Sequence, residues 1–250
     1  MKQRRERMEE LINREGSCSF ARLKQAFPEV SEMTLRSDLK ALDEEKRIVR
    51  VYGGARSLGA VVGTDDAFDL RARRNTAEKH LIVRKALTLL RPGMSIFLDS
   101  GSTAVLLAEK FPDEPYIVFT SGINCALELA KLRSVRSYLL GGEINPNNLS
   151  VTGIRSLEEV GQIHFDLAFL GTPGFSEEAG FTCPVEAETE LKRAVIRHTR
   201  RTVVLMDSQK VGKVNTFTFA HSEDVHTVIT DDKLPQETRE LFLRGGAELL

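Results

Sequence analysis

A chain of 250 residues, 41% hydrophobic and 28% charged, has room for one small and one medium domain of ordinary globular composition. No apolar run is long enough to span a bilayer, and the charged start (residues 1–7) has no apolar stretch behind it; this excludes a signal peptide and a membrane-spanning class and leads us to expect a cytoplasmic protein. Three widely spaced cysteines, Cys18, Cys125 and Cys183, suit a reducing compartment and argue against a disulfide framework or a thiolate zinc site. The net charge of −1 is unevenly divided: residues 1–56 hold 13 Lys/Arg against 10 Asp/Glu, a surplus of +3, and the remainder is −4. The basic surplus gathers at Lys46, Arg47, Arg50 and Arg56, a segment without acids and a weak footprint for a polyanion.

In chain order, apolar spacing predicts three short helices in residues 1–56. The first carries Met8, Leu11 and Ile12 and stops at Gly16; the second carries Phe20, Leu23 and Phe27 and stops at Pro28. The third starts at Ser31, an N-cap residue with Val30 as a staple before it. Its Leu35, Leu39 and Leu42 share one arc, leaving Met33, Arg36, Ser37 and Lys40 outward. Residues 47–52 then read as an extended segment ending in the Gly53-Gly54 turn, as in a small wing. A DNA-reading helix flanked by phosphate-holding cations fits this pattern, and so does a three-helix protein-interaction module with a solvated third helix.

The run Val30-Ser31-Glu32-Met33-Thr34-Leu35-Arg36-Ser37-Asp38-Leu39, followed by Arg50-Val51-Tyr52-Gly53-Gly54-Ala55, closely resembles the DeoR family of bacterial sugar-catabolism regulators. The resemblance implies a winged helix-turn-helix with Ser31, Met33, Thr34, Arg36, Ser37, Lys40, Arg47, Arg50 and Tyr52 as DNA-binding candidates. Ser37 stands where the family has a second arginine, and a short hydroxyl cannot make a bidentate guanine contact.

Residues 57–75 read as a linker. Over 76–250, apolar strands at 95–98, 116–119, 137–140, 167–170, 202–206 and 225–229 alternate with helical stretches at 76–91, from about 103, through 126–130 and at 235–244. This predicts an α/β domain with a mostly parallel sheet covered on both faces. In such a sheet ligands sit at the carboxyl ends of the strands. Asp99-Ser100-Gly101-Ser102-Thr103 leaves a strand and opens a helix, which suits phosphate, although a hydroxyl there can also be no more than a helix cap. Thr120 to Asn124, Gly141-Gly142 and Gly171 to Gly174 follow other strands and extend a candidate rim. Glu188 and Lys192, at i, i+4, read as a surface ion pair or as ligand contacts; Asp207 with Lys210 can hold a sugar hydroxyl and a phosphate, or pair locally.

These segments fall in the order of the DeoR-family sensor domain, whose fold is related to ribose-5-phosphate isomerase. The resemblance implies a phosphorylated sugar or sugar-acid effector contacting Asp99, Ser100, Gly101, Ser102, Thr103, Thr120, Asn124, Gly141, Gly142, Gly171, Glu188, Lys192, Asp207 and Lys210. It also implies operator DNA as partner and assembly into dimers or tetramers, with no cofactor or metal. Ser121-Gly122 and Gln209 depart from the residues common in the family. The alternative is a sugar-phosphate isomerase-like enzyme, with Glu188 or Asp99 as base, but no second carboxylate is placed near either by sequence. A pure adaptor leaves the phosphate-type loop unexplained.

Overall fold

A computed structural model describes residues 2–45, 47–51, 53–57 and 68–250; Lys46, Tyr52, residues 58–67 of the expected linker and the Arg56 side chain lie outside the described residues. The chain divides into two compact units, residues 1–67 and 68–250.

In the first unit, helices α1 (Lys2–Glu15), α2 (Phe20–Ala26) and α3 (Glu32–Glu44) accompany strands β1 (Ser17–Ser19), β2 (Ile48–Val51) and β3 (Gly54–Ser57) in a small antiparallel sheet of order β1-β3-β2. The apolar arcs expected from spacing form the core: Met8, Leu11, Ile12, Leu23, Phe27, Leu35, Leu39 and Leu42 are all buried. Ser31 caps α3 by accepting from the Thr34 N–H at 3.2 Å. Spacing did not expose the role of Asp38. It is buried between α3 and α1, accepting from Arg4 Nε at 2.6 Å and from Arg5 Nε at 3.0 Å. Burial disfavours its ionised form, but the two arginines outweigh this and hold the carboxyl below its usual value.

The second unit is built on a seven-stranded, all-parallel sheet. Its strands are β4 (Ser95–Leu98), β5 (Ile117–Thr120), β6 (Arg136–Leu139), β9 (Phe165–Gly171), β12 (Thr199–Leu205), β14 (Thr227–Ile229) and β15 (Glu248–Leu249), in the order β15-β14-β12-β9-β4-β5-β6. One face carries the core around Phe97, Phe165, Phe181 and Phe242, the other the core around Ile82, Leu98, Leu107 and Phe169. The helices are α4 (Phe68–Arg73), α5 (Thr76–Leu87), α6 (Ser102–Glu109), α7 (Ile123–Leu129), α8 (Ile154–Val160), α9 (Glu186–Arg197) and α10 (Gln236–Arg244). Helix α4 falls inside the stretch read as linker: its one short turn-and-a-half has too little apolar periodicity to be visible, and it packs on α6. Features that were not expected are the short strands β1 and β15, helix α8, a hairpin β7 (Glu143–Ile144)/β8 (Val151–Thr152) and a small antiparallel sheet of β10 (Gly174–Ser176), β11 (Gly180–Cys183) and β13 (Phe217–Ala220). No described helix is long and apolar enough to cross a membrane.

The chain runs outward from β4 through β5 to β6, then returns to place β9 on the other side of β4. The strand order therefore reverses between β4 and β9, and the crevice at their carboxyl ends is where an open α/β sheet receives a ligand.

Candidate functional site

On the first unit, α3 presents Met33, Arg36, Ser37 and Lys40 to solvent, as its spacing requires. The Arg36 guanidinium lies 4.3 Å from the centre of the Phe20 ring, so a side chain from α2 forms a shelf that orients it while it remains exposed. Lys40 sits 3.6 Å from Glu44 across an exposed i, i+4 pair, a contact worth only a few tenths of a kcal/mol that leaves it able to exchange partners. Ser31 and Thr34 hydroxyls lie 2.8 Å apart in the cap, which gives both a structural task. Arg50 is exposed in β2. Arg47 is not a free wing cation: its guanidinium is held by Glu9 and, at 3.2 Å, by Glu45, and these hydrogen bonds raise its already high pKa. One of these acids, Glu9, is 38 residues away in sequence, so local pattern could not reveal it; the other, Glu45, lies just before the acid-free segment. Beside the start of α3 a groove of about 510 Å³ is lined by Arg4, Arg7, Phe27, Glu29, Val30, Ser31 and Thr34. Arg4 and Arg7 were not among the expected contacts.

On the second unit, the crevice between β4 and β9 is closed by a buried ion pair. Lys192, from α9, donates to Asp99 Oδ2 and, at 2.9 Å, to the Gly171 carbonyl. The same carboxylate accepts the Gly171 N–H at 2.8 Å and, through Oδ1, the Ser100 N–H at 2.9 Å. Burial disfavours the Lys192 ammonium, but the adjoining Asp99 outweighs it and keeps the lysine above its ordinary value. This corrects two expectations. Asp99, expected to face sugar hydroxyls, is engaged on both oxygens by Lys192, Gly171 and Ser100. Lys192 pairs with Asp99 rather than with Glu188, and it is no surface group. Glu188 instead accepts from Asn148 Nδ2 at 2.7 Å and Ser150 Oγ at 2.8 Å, tying α9 to the segment that joins β7 to β8. Glu188 and Asp99 both act on the Lys192 ammonium, so the fold brings together two carboxylates that sequence alone left apart.

The loop after β4 leaves its helix start without a side-chain cap. Gly101 is the N-cap of α6, and no side chain caps it, so the choice left open by the sequence falls against Ser or Thr as a cap there. A Cβ built on Gly101 meets no atom within 4 Å, whereas one on Gly122 lies 2.8 Å from Ser100 Cα. The two loops touch only because residue 122 lacks a side chain, which gives a physical reason for this departure from the family pattern. We therefore expect Gly101→Val to keep its melting temperature within a few degrees while crowding the approach to the loop. Gly122→Val should lower the melting temperature sharply by forcing backbone apart. Thermal melts of the two variants side by side check this, and equal melting temperatures would contradict it.

Other rim residues divide into structural and available ones. Thr120 is fully buried and its hydroxyl accepts the Gly122 N–H at 3.0 Å, so it shapes the rim and cannot face a ligand. Gly142 has φ +154, and a Cβ there lies 2.2 Å from the Thr152 carbonyl; Gly141 accepts from Ser156 Oγ at 2.7 Å and donates to Glu159. Both glycines serve the chain path after β6. Asn124, Ser102 and Thr103 are partly exposed at the two helix starts. Asp207 is buried and accepts from Asn75 Nδ2 at 3.0 Å and from the Gln209 N–H at 3.2 Å, with Lys210 closing the short 3-10 turn Ser208–Lys210.

A cation that sequence reasoning missed joins this end. Lys79, at the start of α5, is buried, donates to the Arg71 carbonyl, and is pushed down to about 8 by burial and by Lys210, with Asp207 opposing and Arg71 and Arg74 adding to the fall. Lys210, Arg71 and Arg74 are thus near enough to act on Lys79, with Asp207 as the opposing charge. Asp207 follows β12 and the α6 start follows β4, so both stand at the carboxyl end of the parallel sheet, where Asn75, just before α5, donates to Asp207. The only sequence signal for Lys79 was a lysine on a predicted buried helix face.

Comparison with known proteins matches a DeoR-like helix-turn-helix domain to residues 4–60 and a DeoR C-terminal sensor domain to residues 74–232. The chain is 35% identical to the HTH-type transcriptional regulator GolR of Listeria innocua over 87% of its own length and 86% of the relative's. It is 28% identical to the lactose phosphotransferase system repressor of Staphylococcus epidermidis, over 89% and 88%. Among solved structures it is similar to ribose 5-phosphate isomerase A from Methanocaldococcus jannaschii, with 18% identity, a TM-score of 0.41 and 55% of each chain covered. With an exposed reading helix on its first unit and both domains of the family matched in order, the chain belongs to the DeoR family of DNA-binding transcription regulators.

Proposed function

We propose that this regulator represses a carbohydrate-utilisation operon, binding paired operator half-sites as an oligomer, and that a phosphorylated sugar or sugar acid alters its grip on DNA. Relatives named as repressors of a lactose phosphotransferase system and of an aga operon support the carbohydrate class. The observation that carries the effector half is the coincidence of the uncapped α6 start with the cationic cluster of Lys79, Lys210, Arg71 and Arg74. Free N–H groups and a helix dipole favour an anion, and Lys79, with Lys210, Arg71 and Arg74 near enough to act on it, brings positive charge to the same end of the sheet. Ser102 and Thr103 stand at that helix start with partly exposed side chains, and Asn124 at the next one, as groups for the ester oxygens and the sugar hydroxyls. Asp99, Lys192 and Gly171 hold the crevice in shape behind them.

Lys79 provides a direct test. Held near 8 without ligand, it is partly neutral at pH 8, and a phosphate dianion beside it favours the ammonium. Binding at pH 8 therefore takes up protons, and affinity falls as pH rises further. Calorimetric titration with phosphorylated sugars in two buffers of different ionisation enthalpy should give different apparent heats, and Lys79→Met should remove the difference and weaken binding at least tenfold. Equal heats for the unaltered protein, or full affinity in Lys79→Met, would remove Lys79 from the phosphate site.

A further inference from the structure

The edge of the parallel sheet at β6 is unprotected. In a parallel ladder alternate residues bond to one neighbour, and here Arg136 and Leu140 donate to the Tyr116 and Thr120 carbonyls. Ser137 and Leu139 therefore turn their N–H and C=O groups away from β5, and among the described residues these groups have no hydrogen-bond partner. All four β6 residues are exposed. The strand has no proline or lysine, and its one charge, Arg136, stands at its first position, leaving Ser137, Tyr138 and Leu139 without the usual guards of a free edge.

Apolar exposure gathers around the same edge. Of the eight large apolar side chains exposed among the described residues of the second unit, six lie between residues 117 and 154: Ile117, Leu127, Tyr138, Leu139, Ile144 and Ile154. Tyr138 stacks on Phe119 at 4.8 Å, which fixes its ring at the rim of the sheet. Ser156 donates to the Gly141 carbonyl, so the start of α8, with Ile154 three-quarters exposed, lies beside the exit of β6. Large exposed apolar side chains concentrated on the elements around one sheet edge mark a surface suited to association.

We propose that β6 pairs antiparallel with β6 of a second copy of this chain, about a two-fold axis at Tyr138. The geometry is self-complementary. With Tyr138 opposite its symmetry mate, Ser137 of each copy faces Leu139 of the other, and all four outward N–H groups find carbonyls. The aromatic stack then continues across the axis as Phe119, Tyr138, Tyr138, Phe119. Charge agrees with this direction and opposes a parallel one: exposed Arg133 and Arg136 precede the strand's centre and exposed Glu143 follows it, so antiparallel pairing brings opposite signs together. Four residues of strand are too small for a stable dimer, which buries roughly 1,200–2,000 Å² in total. The apolar border from β5, β7, α7 and α8 supplies the additional surface. The inference rests on the reading that the regulator works as paired chains and assigns the surface that pairs them.

The full-length protein tests this by sedimentation velocity and by cross-linking. Leu139→Lys puts a charge on the edge without touching the bonds to β5, and it should halve the assembled mass with the melting temperature little changed. Tyr138→Cys should form a disulfide-linked dimer in most of the chain under mild oxidation, because residues facing each other in a non-hydrogen-bonded pair lie within disulfide reach. Cys18, Cys125 and Cys183 are all buried, so the unaltered chain should stay uncross-linked. If Leu139→Lys fails to fold, the cross-link decides. An oligomer whose mass is unchanged by Leu139→Lys, or that gives no Tyr138→Cys cross-link, overturns the surface and leaves oligomeric operator binding standing. An unaltered chain that sediments only as a monomer overturns both.

Discussion

Replacing Lys192 by methionine should destabilise the sensor unit by about 3–5 kcal/mol, the usual consequence of stranding one member of a buried ion pair. Methionine keeps most of the volume but leaves Asp99 with a buried charge and the Gly171 carbonyl without its donor. Denaturant unfolding measures the loss. Asp99→Asn in the same chain should recover a large part of it, since the amide oxygen can still accept an N–H and no charge remains. The pH dependence has a definite sign. Lys192 is held above its ordinary value in the folded protein, so its contribution is complete below the unfolded lysine value and is lost as pH rises through the folded one. The lysine variant should therefore show less alkaline destabilisation than the parent. A loss under about 1 kcal/mol would mean that water or another group replaces the pair.

Arg36→Ala should weaken binding to the preferred operator by about 1–3 kcal/mol, roughly 5–150-fold, and relax the base preference. The Phe20 ring already orients the guanidinium, so little side-chain entropy remains to be lost on binding, and the alanine variant forfeits a preorganised contact. Arg36→Lys should recover little, because an ammonium cannot make the bidentate contact. Arg50→Ala should weaken all duplexes alike and flatten the salt dependence. Arg47→Ala should act differently, lowering the stability of the first unit more than its DNA affinity, because its guanidinium is committed to Glu9 and Glu45. Unchanged operator affinity in Arg36→Ala, measured by fluorescence anisotropy over a salt series, would remove that residue from the reading surface.

Local pattern carried much of this molecule. The three helices of the first unit follow from Leu35, Leu39 and Leu42 and their counterparts, because one face of each must be buried and spacing records which. The parallel strands were legible as short apolar runs, and the helix starts after β4 and β5 as glycine-containing loops. What stayed hidden depends on partners far apart in the chain. Lys192 reaches Asp99 across 93 residues, and the i, i+4 spacing to Glu188 suggested the wrong partner. Arg47 looked free because Glu9 lies in another helix. Lys79 is decided by burial and by Lys210, neither of which a helix pattern records. The hairpin at β7 and β8 escaped because two-residue strands carry no alternation to read.

The central claim is that the sensor unit reads the phosphate of a sugar ester and reports it as a change in DNA affinity. A ligand can shift the regulator only by its differential affinity for the DNA-binding and non-binding arrangements, so effect on DNA and recognition of phosphate must go together. The most direct test is a gel-shift titration on a duplex selected by the protein from a random library, with sugar phosphates and their free sugars run in parallel on the parent and on Gly101→Val. An ester should change operator affinity at concentrations where its free sugar is inert, and Gly101→Val should bind the duplex normally yet ignore the ester. A free sugar as effective as its ester, or a normal response in Gly101→Val, would contradict the phosphate site at the start of α6.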